Sequence, residues 1–302
     1  MPPWSAPPPR RARPSRRRSS TGRSAPPGRS PSPPPTASSA WTKTTPPPTG
    51  ASPTRNTRPS TPPPSARAIL AHAMPTDRVG AVILCAGHST RMGGVDKSLA
   101  ALAGQPLILY ALRAFEASPP VDEVVLVASQ ANLAEAERLC QAEGLVKVSA
   151  VCLGGERRQD SVRLGLAALG PCEWVLVHDG ARPLVSQRLI ADGLAAARGA
   201  GAAVPAVRPK DTVKQLDAVG DVAATLDRER LAAVQTPQAF RRVLLERAHA
   251  EVSDDVTDDA AMVERLGVRV RLYEGDYANI KVTTPDDLAV AEALLARRGA
   301  PA

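Results

Sequence analysis

"VGAVILCAGHSTRMGGVDK", residues 79–97, decides the fold. Val79 to Cys85 run apolar without alternation into the small pair Ala86 and Gly87. An unbroken apolar run of this length is what a strand covered on both faces requires, because neither side of it meets water. Four more short runs, rich in Val and near-continuously apolar, lie at 121–129, 146–152, 174–178 and 202–207. Between them the apolar residues switch to helical spacing, with Ile108, Leu112 and Phe115 on one stripe and Val162, Leu166 and Leu169 on another. Buried strands alternating with amphipathic helices predict an α/β fold, Rossmann-like and doubly wound, with a mostly parallel sheet.

Two segments depart from that rhythm. "KDTVKQLDAVGDVAATLDR", within 208–230, reads as two short polar strands around Gly220, an inserted β-hairpin arm that needs solvent or a partner surface on its faces. It is expected to be a dimerisation arm. "TTPDDLAVAEALLARRG" announces the last helix: Thr284 caps, Pro285 suits the first turn, Asp286 and Asp287 favour its positive end and Arg297 and Arg298 its negative end. Asp254, Asp255, Asp258 and Asp259 look like a metal cluster but read better as favourable charges around a helix start at Thr257.

Charge divides the chain. The formal net charge of +8 belongs to the front: residues 1–76 hold 12 of the 38 Lys and Arg, 21 of the 31 prolines and no Asp or Glu. The remainder carries 26 basic against 30 acidic residues. Residues 1–76 have too little apolar surface to offset the entropy of ordering and are expected to be a disordered tail, with one large α/β domain over 77–302. The tail is either dispensable or an artefact upstream of Met74, or a transit peptide, or a nucleic-acid arm. With Trp4 and Trp41 its only aromatics it lacks a stacking platform, so no nucleic-acid partner is expected. The four cysteines show no CxxC spacing, and no apolar run is long enough to span a bilayer. A cytoplasmic setting is expected, with a plastid as the alternative if the tail is a transit peptide, and no membrane partner.

Ligands of open parallel sheets sit outside the carboxyl ends of the strands. The loop that begins at Cys85, Ala86 and Gly87 falls there, with Arg91 and Lys97 to supply charge to an anion cradled by backbone N–H groups. It is neither a GK[ST] phosphate loop nor GxGxxG. Alternatively it is an ordinary strand-to-helix turn. "VHDGARP", 177–183, puts Asp179 on the same rim, either as a magnesium ligand beside a phosphate chain or as a turn-forming residue before Gly180. Arg182 is a substrate clamp or a surface charge, and His178 is packed. "GGERRQDSV", 154–162, offers Gly155, Glu156 and Ser161 to a base edge or an anion, with capping by Asp160 or Ser161 as the plain alternative. "NIKVTTPDD" places Lys281 on a short strand, as a pocket residue or an edge charge.

Taken in order, "AGHSTRMGG", "GGERRQDSV", "VHDGARP", "DTVK", "LDRERLAAVQTPQAF", "VTDDA" and "GDYANIKVTTPDDL" resemble the 2-C-methyl-D-erythritol 4-phosphate cytidylyltransferase family over about Gly80 to Leu295. The resemblance implies that family's nucleotidyltransferase fold and activity: transfer of CMP from CTP to methylerythritol phosphate in the non-mevalonate isoprenoid route, releasing pyrophosphate with Mg²⁺ present. It implies Arg91, Lys97 and Lys281 as the catalytic cations. Cys85, Ala86, Gly87, Gly155, Glu156, Ser161 and Asp179 match the CTP site, with Asp179 also the metal neighbour. Arg182, Thr212, Arg228, Thr236 and Thr257 match the acceptor site, some supplied by the arm of a homodimer partner.

That chemistry needs no protein nucleophile. A phosphate monoester is already anionic, and what opposes reaction is its repulsion from the anionic α-phosphate, roughly 4 kcal/mol for unit charges about 4 Å apart at an effective dielectric of 20. Cations aimed at the transferring phosphorus offset that repulsion.

Overall fold

The computed structural model describes residues 77–86 and 99–299. The tail over 1–76, and Gly87, Arg91 and Lys97 of the opening loop, lie outside the described residues.

In chain order the elements are β1 (Val79–Cys85), the short pair β2 (Ala101–Leu102) and β3 (Gln105–Pro106), α1 (Leu107–Glu116), β4 (Glu123–Ala128), α2 (Leu133–Ala142), β5 (Val148–Leu153), α3 (Arg158–Ala168) and β6 (Trp174–Asp179). Then follow α4 (Gln187–Ala200), β7 (Ala202–Val207), β8 (Lys214–Leu216), β9 (Val222–Thr225), β10 (Ala233–Val234), β11 (Gln238–Arg241), α5 (Arg242–Glu251), α6 (Asp259–Arg265), β12 (Arg271–Glu274) and α7 (Pro285–Gly299). The five apolar runs are β1, β4, β5, β6 and β7, each shifted by no more than two residues at an end.

The main sheet runs β5-β4-β1-β6-β11-β7, with β10 and β12 also paired to β7. β1 is parallel to β4 and β6, β4 to β5, and β7 to β12. β11 is antiparallel to β6 and β7, and β10 antiparallel to β7. Alternate residues of β1 serve opposite faces, as a period of two demands. Ala81, Ile83 and Cys85 join a core with Ile108, Leu112 and Phe115 of α1, Ala136 of α2 and Leu189 of α4. Val82 joins the opposite core, with Val162 and Leu166 of α3, Leu245 of α5 and Met262 of α6. Each fully buried Leu or Phe removes enough apolar surface from water to contribute about 1.5–3 kcal/mol. A third cluster, Leu102, Leu107, Leu184, Val282 and Ala291, fastens α7 beside the first helix.

The predicted hairpin is present as β8 and β9, antiparallel with Lys214 opposite Thr225. The last helix starts where the sequence placed it, with Asp287 N–H donating to Thr284 Oγ1 at 3.3 Å. Two expectations are corrected. The helix read from Thr257 begins at Asp259, because Asp258 takes the cap and accepts from Ala261 N–H. Lys281 lies outside any strand; Val282 N–H donates to Ala181 O at 2.8 Å, and no second rung forms among the described residues.

Candidate active site

Parallel register sets the rim. Leu84 of β1 is level with Asp179 of β6, and Cys85 with Ala128 of β4, so the ends of these strands share one edge. Close approach fixes two turns there. A Cβ on Gly180 would lie 2.4 Å from Ile108 Cδ1 and 2.9 Å from Leu84 O, so only glycine can follow Asp179 as the chain folds over β1. A Cβ on Gly154 would lie 2.4 Å from Ala86 Cβ and 2.8 Å from Ser161 Oγ, which shows how tightly the end of β1 meets the head of α3.

A cleft of about 250 Å³ opens on this rim, lined by Arg158, Asp179, Arg182, Thr236, Thr257 and Lys281 among others. Asp179 is its centre of charge. Lys281 Nζ donates to one carboxylate oxygen at 2.7 Å and Arg158 Nε to the other at 3.2 Å. Burial alone would raise the Asp179 carboxyl, but Arg158, Lys281 and Arg182 outweigh it and hold the group well below the usual carboxylate range. Arg158 reaches on through Nη1 to Asp259 at 2.6 Å, a carboxylate with no exposed surface that also faces His249 Nε2 at 3.6 Å.

Behind Asp179 a chain of hydrogen bonds fixes the rim. Thr236 Oγ1 accepts from Asp179 N–H at 3.0 Å and donates to His178 Nδ1 at 3.0 Å. His178 Nε2 lies 3.1 Å from Arg182 O, and a carbonyl only accepts, so Nε2 carries the proton and Nδ1 accepts. Burial pushes the imidazole down to about 4, in keeping with this neutral form. Asn279 ties in the segment that carries Lys281: its side-chain N–H donates to Thr236 O at 2.8 Å while its own carbonyl accepts from Arg182 Nη1 at 2.8 Å. Arg182 Nε is buried without a hydrogen-bond partner among the described residues. Such a donor costs about 1–3 kcal/mol unless a ligand satisfies it.

The head of α3 adjoins this cleft. Gly155 N–H donates to Ser161 Oγ at 3.1 Å, and Ser161 Oγ donates to Arg157 O at 3.2 Å. Asp160 caps, accepting from Arg157 N–H at 3.3 Å, whereas Ser161 bonds the turn before the helix, so of the two capping candidates Asp160 holds.

Of the residues singled out in the sequence, Asp179, Arg182, Thr236, Thr257 and Lys281 meet in one cleft, while Ala86 and Ser161 meet at Gly154 and Ser161 bonds Gly155 N–H, outside the cleft's lining. Glu156 is exposed. The Cys85 side chain is buried in the core. Thr212 and Arg228 stand around the arm and do not line the cleft of their own chain; Arg228 Nη1 donates to Lys210 O at 2.8 Å. Arg158 and Asn279 were missed. The signal for Arg158 was available: two consecutive arginines at a helix start oppose the helix dipole and need a local anion. Asn279 gave none beyond its place flanking Lys281 in "NIKV".

As to a metal, no group of three or more His, Cys, Asp or Glu is placed to hold one among the described residues. Asp179, a single ionised carboxylate engaged by two cations, suits a divalent ion delivered with phosphate oxygens, not one held by protein alone.

A model of the family described as "IspD: 2-C-methyl-D-erythritol 4-phosphate cytidylyltransferase" matches residues 79–297. The chain is similar to the 2-C-methyl-D-erythritol 4-phosphate cytidylyltransferase of Dehalococcoides mccartyi, 51% identical over 219 residues, covering 72% of this chain and 96% of that one. Among solved structures it resembles the 2-C-methyl-D-erythritol 4-phosphate cytidylyltransferase of Thermus thermophilus, with TM-score 0.59, 36% identity and 73% and 99% of the two chains covered. It also resembles the 4-diphosphocytidyl-2C-methyl-D-erythritol synthase of Anaerococcus prevotii, with TM-score 0.66, 29% identity and 73% and 97% covered.

Proposed function

The chain belongs to the 2-C-methyl-D-erythritol 4-phosphate cytidylyltransferase family, a nucleotidyltransferase that moves CMP from CTP to methylerythritol phosphate in the non-mevalonate isoprenoid route, and we propose how its residues divide that work. The observation that carries the proposal is the meeting of Lys281, Arg158 and Arg182 around Asp179 on the carboxyl rim of the sheet.

An oxygen of the acceptor phosphate attacks the α-phosphorus of CTP; the new P–O bond forms as the bond to the β-phosphate breaks, and pyrophosphate leaves with its electron pair. No proton needs to move, because attacker and leaving group are both anions. Lys281 releases Asp179 for the α-phosphate, an exchange open to it because its side chain is 41% exposed while Asp179 keeps Arg158 as a partner. Arg91 and Lys97, on the loop after β1, add charge to the triphosphate. Cys85, Ala86 and Gly87 offer main-chain groups to the nucleotide, and Gly155, Glu156 and Ser161 read cytosine. Arg182 clamps the acceptor with Thr236 and Thr257, all three lining the cleft. Mg²⁺, when bound with CTP next to Asp179, supplies further neutralisation of the phosphate oxygens.

The protein works as a homodimer in this reading. A two-stranded hairpin is marginal alone, and this one leaves Leu216 at 58%, Val219 at 84% and Val222 at 59% exposed. Seated on a second copy it would bring Thr212 and Arg228 to that copy's acceptor. Four free cysteines suit a reducing cytoplasm. The 77–302 segment is the catalytic domain, with the tail outside the reaction.

The test is pyrophosphate release with Mg²⁺ and methylerythritol phosphate, supplied with CTP or GTP in separate reactions. Release with CTP alone supports the reading, and release with GTP alone overturns it.

A further inference from the structure

Three consecutive residues at the head of α3 reach across to one loop, Ser253 to Asp259. Arg157 Nη1 donates to Ser253 O at 3.1 Å and to an Asp255 carboxylate oxygen at 3.0 Å. Arg158 Nη1 donates to Asp259. Between them Gln159, only 6% exposed, spends both ends of its amide on the loop main chain: Nε2 donates to Asp254 O at 3.2 Å, and Oε1 accepts from Val256 N–H at 3.2 Å. The partners fix the amide's orientation, since a carbonyl accepts only and an N–H donates only. The side chain thus imitates a rung of a β-ladder where no strand exists.

We infer that Gln159 is a positioning residue that couples the two substrates. It rests on the reading of Gly155 to Ser161 as the nucleotide side and Thr257 as acceptor side. Thr257 follows Val256 directly and lines the cleft, so the clamp at Asp254 and Val256 sets where Thr257 stands relative to the head of α3. Other ties of the loop differ in kind: Arg157, half exposed and weakened by solvent, holds Ser253 O and the Asp255 side chain, Arg158 and Arg265 hold the side chains of Asp259 and Asp254, and Gln238 holds the far side, donating to Asp258 at 2.7 Å and accepting from Ala260 N–H at 3.2 Å. Among the described residues, Gln159 is what joins the main chain just before Thr257 to the nucleotide side. Nucleotide that orders the head of α3 orders the acceptor loop through this amide.

The test uses the full chain with Gln159→Ala and Gln159→Met, the second keeping side-chain volume without either hydrogen bond. Two hydrogen bonds of ordinary strength correspond to a rise of roughly five- to a hundredfold in KM for methylerythritol phosphate in both variants, larger than any change in KM for CTP, with the melting temperature lowered by a few degrees. Hydrogen exchange at the Val256 amide should accelerate in both. Restoration by methionine would assign the residue to packing and overturn the inference, as would an unaltered acceptor KM once the Val256 amide is unprotected. A wild-type chain that makes no cytidylyl product overturns the functional reading instead, and the amide exchange still reads the clamp.

Discussion

Lys281 Nζ lies 2.7 Å from Asp179 Oδ2 across 102 residues of sequence, and the pair closes one side of the cleft. Asp179 therefore does two things: it holds a lysine in place before substrate arrives, and it keeps that lysine from being an unpaired charge in a partly dry site. Lys281→Ala should lower kcat by about a hundred- to a thousandfold, the usual loss when one group facing a developing anionic charge is removed. Steady-state assay with a parallel melting curve checks it; near wild-type turnover would remove Lys281 from the reaction.

Arg91→Ala and Lys97→Ala should fall in the same class, losing turnover with the melting temperature unmoved. A loss confined to KM for CTP, with kcat intact, would mark them as uniform binders of the triphosphate and not as groups that answer the transition state.

Arg228 separates arm from cleft. If a partner's arm completes the acceptor site, Arg228→Ala alone raises KM for methylerythritol phosphate, and mixing it with Lys281→Ala restores activity. In a mixed dimer one of the two sites keeps both residues, so with acceptor supplied well below the KM of Arg228→Ala, random exchange should return about a quarter of wild-type turnover. No restoration in a mixture shown to have exchanged subunits would mean that Arg228 acts within its own chain.

Asp259 governs acid stability on the far side of Arg158. Burial would raise its carboxyl, but Arg158 and His249 outweigh burial and lower it. A group lowered in the folded state stabilises the fold above its unfolded value, about 4, and that contribution fades as pH falls below it. Asp259→Asn should cost about 3–5 kcal/mol near neutrality, because Arg158 loses a buried partner, and should flatten the acid limb of the stability profile. Denaturant midpoints from about pH 7 down to about pH 3 read both effects; a variant that parallels the wild type at every pH would contradict it.

The sheet was legible because its signal is local. A strand covered on both faces must be apolar at every position, so β1, β4, β6 and β7 announce themselves one at a time. The hairpin and the capped start of α7 were legible for the same reason. What escaped was set by contacts between distant segments. Thr257 read as a helix start, since the competition between Thr257 and Asp258 for the cap is decided by Gln238, which holds Asp258 from another strand. Lys281 read as a strand residue because "NIKV" has strand composition, while the neighbouring contact at Ala181 offers one rung only. Asp179 was found as a rim carboxylate and Lys281 was set at the same site through the family resemblance, but Arg158 was not, because no spacing in one sequence reveals that residues 158 and 179 meet.

The most direct measurement is a structure of the protein with CTP and Mg²⁺ bound. The α-phosphate should lie in the cleft at Asp179, with Lys281 turned from the carboxylate to a phosphate oxygen and the cytosine against Gly155 and Ser161. Nucleotide bound away from that rim, with Lys281 still paired to Asp179, would contradict the account.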